Sequence, residues 1–452
     1  MFITWSLRLT GQIQKLLARE AQMTRKLSRT AEIRSVASKD RSQAESMLEE
    51  FIAGLFSIPV SNLKINLDQY SLNSLNGFFQ SEKLDFFFKF HQEEGEEQMR
   101  GEYYRADILA RAGLPVDQPV HISTLPGEQL LVYNRRSDPR FSDVLLELDQ
   151  SDDPILIVRA TSAEARLNDH VLACAIESLQ PITPAQSTSE PIHRLFYERL
   201  IDQPNGTYPG GRLARFYTNR KFLFPDGVEL SWDQINYARP VVNGMERRLS
   251  LQEMFDWAHT RYAPENLADA GGVVAHGDAH NANVWYERGA KEDRLAFFDP
   301  AFAGDRVPSL VAEVKSTFHN IFAHPYWLYN PEIAKERYVA KVRLESGQLF
   351  IDTNWDVSAV RKALLKTKAR HFWKPWLAHL LSKDLLPDDW EDVIRIGLFL
   401  SPTLVMNLNA GEGADRHNPI SSAIGLAIAL SAGSAPITGS DMFSDFFDEI
   451  RP

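Results

Sequence analysis

The sequence predicts an α+β protein in which a small β-rich lobe is followed by a larger, mostly α-helical lobe. Three observations carry that expectation. Short strand-like runs cluster between residues 63 and 136, helical spacing of apolar positions dominates the second half, and a dense polar stretch at 276–299 is set between short apolar runs. At 452 residues, with 44% hydrophobic and 24% charged residues, the chain can form two or three domain-sized units and lies in the ordinary globular range.

Residues 1–60 read as an N-terminal helical extension. Ile13, Leu17 and Ala21, then Met47, Phe51 and Leu55, recur at helical spacing on either side of a polar break at Ser38–Ser42. Residues 61–136 read as the β-rich lobe. LKINL and GFFQSEKLDFFFKFHQE are strand-like, with Phe86, Phe88 and Phe90 on one face and Phe87 and Lys89 on the other. GEYYRADILARAG reads as a helix closing at Gly113, and PVHISTL and EQLLVYNRR form a second strand pair across the turn Pro126-Gly127. Residues 137–452 read as the helical lobe. In it ILIVRAT is expected as a strand or buried turn, SAEARLNDHVLACAIESL as a long helix, and KVRLESGQLFIDT as a hairpin turning at Ser346-Gly347.

The charge balance narrows the partners. With 49 Lys and Arg against 60 Asp and Glu, the net charge is -11, which disfavours a nucleic acid as the main partner and leaves nucleotide use open, since a metal ion can supply compensation. The single cysteine, Cys174, forms neither an intrachain disulfide nor a cysteine zinc cluster and reads as a small buried residue on a helix; a reducing, cytoplasmic compartment is expected. The opening MFITWSLRLTGQIQKLLAREAQ lacks an apolar core of signal-peptide length. ISSAIGLAIALSAGSAP falls short of the roughly 20 apolar residues of a membrane span and reads as a buried helix.

The chemistry concentrates in VVAHGDAHNANVWYERGAKEDRLAFFDPAFAGDR, which looks like a loop presented by a hairpin. Asp278 and Asn283 are five positions apart, the spacing of the catalytic-loop Asp and Asn of protein kinases. Phosphoryl transfer needs a carboxylate that takes the acceptor hydroxyl's proton, a role open to Asp278. It also needs oxygen ligands for Mg2+, a role open to Asn283 and, across 15 intervening residues, to Asp299. His276 reads as a loop-ordering residue that bonds backbone groups, and His280 stays ambiguous between loop support, substrate contact and surface. A zinc site on His276, Asp278 and His280 lacks a downstream ligand pattern.

HGDAHNANV followed by FFDPAFAGDR resembles the aminoglycoside phosphotransferase-like kinases, the group that includes choline, homoserine, methylthioribose and fructosamine kinases. The resemblance implies a two-lobed, protein-kinase-like fold and an ATP- and Mg2+-dependent transfer to a small hydroxyl-bearing molecule, with Asp278 as base and Asn283 and Asp299 as metal ligands. It also asks for a strand lysine on the nucleotide phosphates and a helix carboxylate to hold it, and Lys89 and Glu102, 13 residues apart, stand in that order, with Glu96 and Glu97 as rivals to Glu102. SLNSLNGFF falls where the nucleotide-covering loop is expected, so that Gly77 would allow close backbone approach to phosphate. EQLLVYNRR matches the connector between lobes, placing the adenine edge near Leu131–Tyr133.

Two other classes stay open: a catalytically inactive pseudokinase or regulatory binding module, and a protein kinase, from which the His-Gly-Asp and Asp-Pro forms point away. The acceptor is not specified. Asp305, Asp352 and Asp356 would suit a cationic amino alcohol, Arg306, Arg212 and Arg215 an anionic compound, and a sugar-like polyol fits both.

Overall fold

The computed structural model describes residues 29–66, 74–91, 105–123, 130–324, 326–411 and 414–452. They divide into two compact units, one formed by the described residues before Arg105 together with Gln118–Ser137, the other by Arg105–Asp117 and Asp138–Pro452.

The first unit packs two helices, α1 (Arg29–Ala37) and α2 (Arg41–Phe56), on a five-stranded antiparallel sheet. Asp40 breaks the helical run where its side chain accepts from the Gln43 N–H at 2.9 Å, capping α2 as the polar break at 38–42 predicts. The strands β1 (Ser61–Ile65), β2 (Ser74–Ser81), β3 (Leu84–His91), β4 (His121–Ser123) and β5 (Leu130–Asn134) lie in the order β1-β2-β3-β5-β4. Ala44, Leu48 and Ile52 of α2 pack with Leu63, Ile65, Phe79, Phe86, Phe88, Leu130 and Val132, so alternate residues of each strand face the helices. Glu45 and Glu49 of α2 accept the edge-strand N–H groups of Ile65 (3.0 Å) and Leu63 (3.1 Å), which closes part of the exposed edge of β1.

The second unit is mainly helical around one large core that includes the fully buried Trp327, Trp373 and Trp376. Its first segment carries α3 (Ala106–Arg111), followed at Pro139 onward by α4 (Phe141–Ser151) and α5 (Pro154–Ser178). Four short sheets interrupt the helices: the ribbon β6 (Lys221–Leu223) with β7 (Glu229–Ser231); β8 (Arg239–Val242), β9 (Met245–Glu246), β14 (Ala340–Glu345) and β15 (Gln348–Thr353) in the order β14-β15-β8-β9; β10 (Gly272–Ala275) with β13 (Gly304–Pro308); and β11 (Val284–Glu287) with β12 (Arg294–Phe297). A sheet-rich unit followed by a mainly helical one is the α+β class read from the sequence.

The hairpin at Ser346-Gly347 forms with both turn residues at positive φ (52° and 79°). The segment 419–433 is a helix buried throughout from Ser421, and among the described residues no helix is long and apolar enough to cross a membrane.

Two expectations are corrected. ILIVRAT is neither strand nor buried turn but the start of α5: Asp153 accepts from the N–H groups of Ile155 and Leu156, Pro154 fits the first helical turn, and Ile155, Leu156 and Val158 are left exposed. Residues 74–79 of SLNSLNGFF are strand rather than loop, with Gly77 opposite Phe88 and Ile65. A Cβ there would meet the Lys64 carbonyl oxygen at 2.1 Å and the Phe88 ring at 2.8 Å, so close strand packing accounts for the glycine. Of the helix read in GEYYRADILARAG the structure describes α3 from Ala106, after Arg105 at φ -119° and ψ 3°; Glu102 lies outside the described residues, as do Ile13, Leu17 and Ala21.

Candidate active site

In the second unit, β10 is held against β13, with Val273 and Ala275 buried, and releases the chain at His276. The following loop passes through a single turn at Asn281–Asn283 and enters β11, which pairs with β12 from Val284↔Phe297 to Glu287↔Arg294. That register carries the chain back to its start: the Phe298 N–H donates to the Asn283 carbonyl at 2.9 Å, and Asp299 is the next residue. The hairpin is therefore what brings Asp299 beside Asn283 despite their separation in sequence. The tail of α3 adds a third rail, since the Asp117 N–H donates to the Phe297 carbonyl (2.8 Å) and the Trp285 Nε1–H to the Asp117 carboxylate (2.7 Å).

Within the loop, Gly277 has φ +76°, and a Cβ would lie 2.6 Å from the Phe302 carbonyl oxygen, so both backbone and space demand glycine. His276 orders the loop as the sequence reading expects. Its Nδ1 accepts the Asp278 N–H at 3.3 Å, which assigns the ring proton to Nε2, donating to the Phe298 carbonyl at 3.0 Å. Asn283 Nδ2 donates to the Asp278 carbonyl at 3.0 Å, which commits the amine and leaves the amide oxygen as the group for a ligand. Asp299 is half-buried at φ +55°, a left-handed conformation that aspartate tolerates better than most residues and that turns the chain out of β12.

Asp278 is 8% exposed, and its Oδ1 lies 2.7 Å from Lys315 Nζ and 3.7 Å from His280 Nε2. Burial pushes its carboxyl up, but the Lys315 ammonium, with His280 and His276, holds it below the ordinary carboxylate range, so it is a carboxylate at neutral pH. Lys315, 7% exposed, is itself pushed down by burial, a fall that Asp278 opposes and the neighbouring charges of Arg199 and Arg212 deepen. Burial also lowers His280 and, far more, His319 and His324, which leaves all three as neutral imidazoles.

The loop is braced from behind. The Asn281 N–H donates to Asn320 Oδ1 (2.7 Å), the Asn320 carbonyl accepts from Arg361 (2.7 Å), and Arg361 pairs with Asp149 at 2.7 Å with both side chains wholly buried. Asn320 lies on a π-helical turn, Phe318–Phe322, which follows the short helix Val314–Thr317 that carries Lys315. Beside it Glu313 is fixed by Lys368 at 2.6 Å and by the Ser316 hydroxyl at 2.7 Å.

The structure thus brings together Asp278, Asn283 and Asp299. The oxygens of one amide and one carboxylate form a hard donor pair that fits Mg2+, an ion that keeps water and phosphate oxygens as its other ligands. Among the described residues no cluster of three or more His, Cys, Asp or Glu is poised to hold a metal. In the first unit, Lys89 is half-buried in mid-sheet, paired with Asn76 on β2 and with Leu131 on β5, while Phe87 pairs with Tyr133. Lys89, Leu131 and Tyr133 therefore share the sheet face opposite the helices. Sequence reasoning missed Lys315, Asn281 and His319. The one available signal was a lysine inside the apolar run LVAEVKSTFHNIF, at a position where a charge is buried only with a partner.

No family model matches the chain, and no curated protein matches it. Among solved structures, it is similar to the apo form of a thermostable mutant of aminoglycoside phosphotransferase APH(4)-Ia, at 13% identity and a TM-score of 0.42 over 84% of this chain and 97% of that one. It is similar to the choline kinase LicA from Streptococcus pneumoniae at 12% identity and a TM-score of 0.41, over 86% of this chain and 99% of that one. A microcompartment-associated aminopropanol kinase matches at 12% identity and a TM-score of 0.38, over 85% of this chain and 98% of that one.

Proposed function

We propose that this chain is a cytoplasmic kinase of small molecules, transferring the γ-phosphoryl group of ATP to a hydroxyl of a sugar-like or amino-alcohol type compound. The observation that carries the reading is the construction around Asp278: a carboxylate kept ionised by Lys315, on a loop whose Asn283 bonds the Asp278 backbone and whose hairpin returns Asp299 to Asn283. Asp278 would orient the acceptor hydroxyl and take its proton late in the transfer. Asn283 and Asp299 would hold Mg2+, which when bound neutralises charge on the phosphates. Lys89, with Glu102, would bind the nucleotide phosphates, and the strand around Leu131 and Tyr133 the adenine.

Asp278→Asn tests the assignment. Turnover of ATP with an accepted substrate is expected to fall about 100- to 10,000-fold, the range for loss of a general base, while nucleotide affinity stays near that of the parent. Retained turnover would sink it. A second reading, an inactive nucleotide-binding pseudokinase, draws on the same ion pair, because Lys315 engages the oxygen that a base would use. Magnesium-dependent binding of a non-hydrolysable ATP analogue, weakened by Asp299→Ala but accompanied by no turnover across a metabolite panel, is its signature.

A further inference from the structure

Any hydroxyl that Asp278 deprotonates must approach a carboxylate whose Oδ1 lies 2.7 Å from the Lys315 ammonium. The acceptor is therefore in contact with, or next to, a buried cation. Arg199 and Arg212 stand close enough to add positive potential at Lys315, and both also donate to the Leu404 carbonyl, at 3.3 and 3.0 Å. Asp278 is the carboxylate paired with Lys315, and its role is in the transfer itself, while the buried Glu313 on the same turn is taken up by Lys368 and Ser316.

The same corner holds polar atoms without hydrogen-bond partners among the described residues. They are Nδ2 and Oδ1 of Asn281, Nε2 of His319 and Nδ1 of His324, on side chains 4%, 3% and 9% exposed. His319 lies 6.0 Å from the His280 ring, centre to centre, and its Nδ1 meets the Tyr329 hydroxyl at 2.7 Å; the His324 ring is 5.0 Å from that of Tyr329. Buried polar atoms are paired in most proteins, so several orphans beside one carboxylate mark a place for a polar ligand. Because the histidines are neutral, His319 Nε2 and His324 Nδ1 each offer a single donor or acceptor to a hydroxyl and add no charge.

We propose that the acceptor is a small hydroxy compound bearing an anionic group, a carboxylate or a phosphate, near the reacting hydroxyl. Lys315 holds the anionic group, and Asn281, His319 and His324 read the hydroxyls. An amino alcohol would place its ammonium against Lys315 and is disfavoured. The inference rests on the phosphotransferase reading for the role of Asp278 and narrows its acceptor. In the transfer the acceptor oxygen forms a bond to phosphorus, the bond from that phosphorus to the ADP oxygen breaks, and the hydroxyl proton passes to Asp278.

The test is calorimetric titration of the full chain, in the presence of Mg2+ and a non-hydrolysable ATP analogue, with glycerate, glycerol 3-phosphate, glycerol and choline, and ATP turnover with the same four. At least one anionic probe is expected to bind about tenfold or more tightly than glycerol and choline, to lose about tenfold in Lys315→Gln, and to stay within about threefold in Lys315→Arg. Which anion binds separates carboxylate from phosphate. Choline or glycerol binding as well as both anions overturns the inference, as does anion affinity unmoved in Lys315→Gln or no binding of either anion. Should Lys315→Gln fail to fold, selectivity in the parent chain and in Lys315→Arg decides. Selective anion binding without turnover leaves the anion site at Lys315 standing and removes the phosphotransfer reading, and with it the name of acceptor; preferred turnover of choline keeps that reading and overturns the anion site.

Discussion

Replacing Lys315 by methionine removes the cation from a buried pair whose side chains are 8% and 12% exposed. At 2.7 Å and an effective dielectric of about 20, the attraction is about 6 kcal/mol, much of it offset by the hydration that both ions give up. What remains in the variant is Asp278 in a buried place without its main counter-charge, a defect of about 3–5 kcal/mol. The pH dependence follows in sign. In the parent chain the Asp278 carboxyl is held below its ordinary range, so its contribution is present above the unfolded pKa and is lost as pH falls through the folded value. In Lys315→Met, burial prevails and the folded pKa rises. The penalty is then absent below about pH 4 and grows as pH climbs through the carboxylate range. Urea unfolding of the parent chain, Lys315→Met, Asp278→Asn and the double variant at pH 5 and 8 measures this. Every tryptophan but Trp5 lies between Trp232 and Trp390, so fluorescence reports on the second unit. The double variant is expected to recover about 3 kcal/mol of the summed single losses at pH 8. A coupling below about 0.5 kcal/mol, or a loss greatest at low pH, would refute the ion-pair account.

Gly277→Ala forces a side chain into a left-handed position 2.6 Å from the Phe302 carbonyl oxygen; a loss of about 1–3 kcal/mol in unfolding free energy is expected, together with reduced turnover, whereas an unchanged midpoint would show that the loop yields. Arg361→Met strands Asp149 at a site with no exposure and frees the Asn320 carbonyl that braces Asn281, so a loss of about 3–5 kcal/mol should appear in the same unfolding assay. Glu190, raised by burial to about 7 although Arg105 opposes the rise, binds its proton more tightly folded than unfolded. Its share of stability is therefore present below pH 4.5 and is lost as pH rises to about 7, by up to about 3 kcal/mol, and Glu190→Gln should flatten that part of the stability–pH profile.

The sequence by itself determined the local facts. The alternation of Phe86, Phe87, Phe88 and Lys89 sets one strand face against the helices and one away from them, because strand side chains alternate whatever they meet. The hairpin at Ser346-Gly347 and the α1–α2 break at Asp40 are likewise fixed by a few adjacent residues. Asp278, Asn283 and Asp299 were legible because their chemistry and spacing lie within one short stretch. Tertiary structure alone decided the rest. ILIVRAT has the composition of a buried strand, but capping by Asp153 and continuation into α5 make it helix, since propensity is weak beside a long packed helix. Gly77 looks like loop punctuation, yet the Lys64 carbonyl, 13 residues earlier in the chain, is what requires it. Lys315 stands far along the chain from Asp278, and no periodicity ties the two. Only the packing of the 314–322 turns against the 276–283 loop puts an ammonium 2.7 Å from that carboxylate and so sets its charge. Long-range electrostatic partners are products of folding, and a sequence shows them only as buried charges in want of a partner.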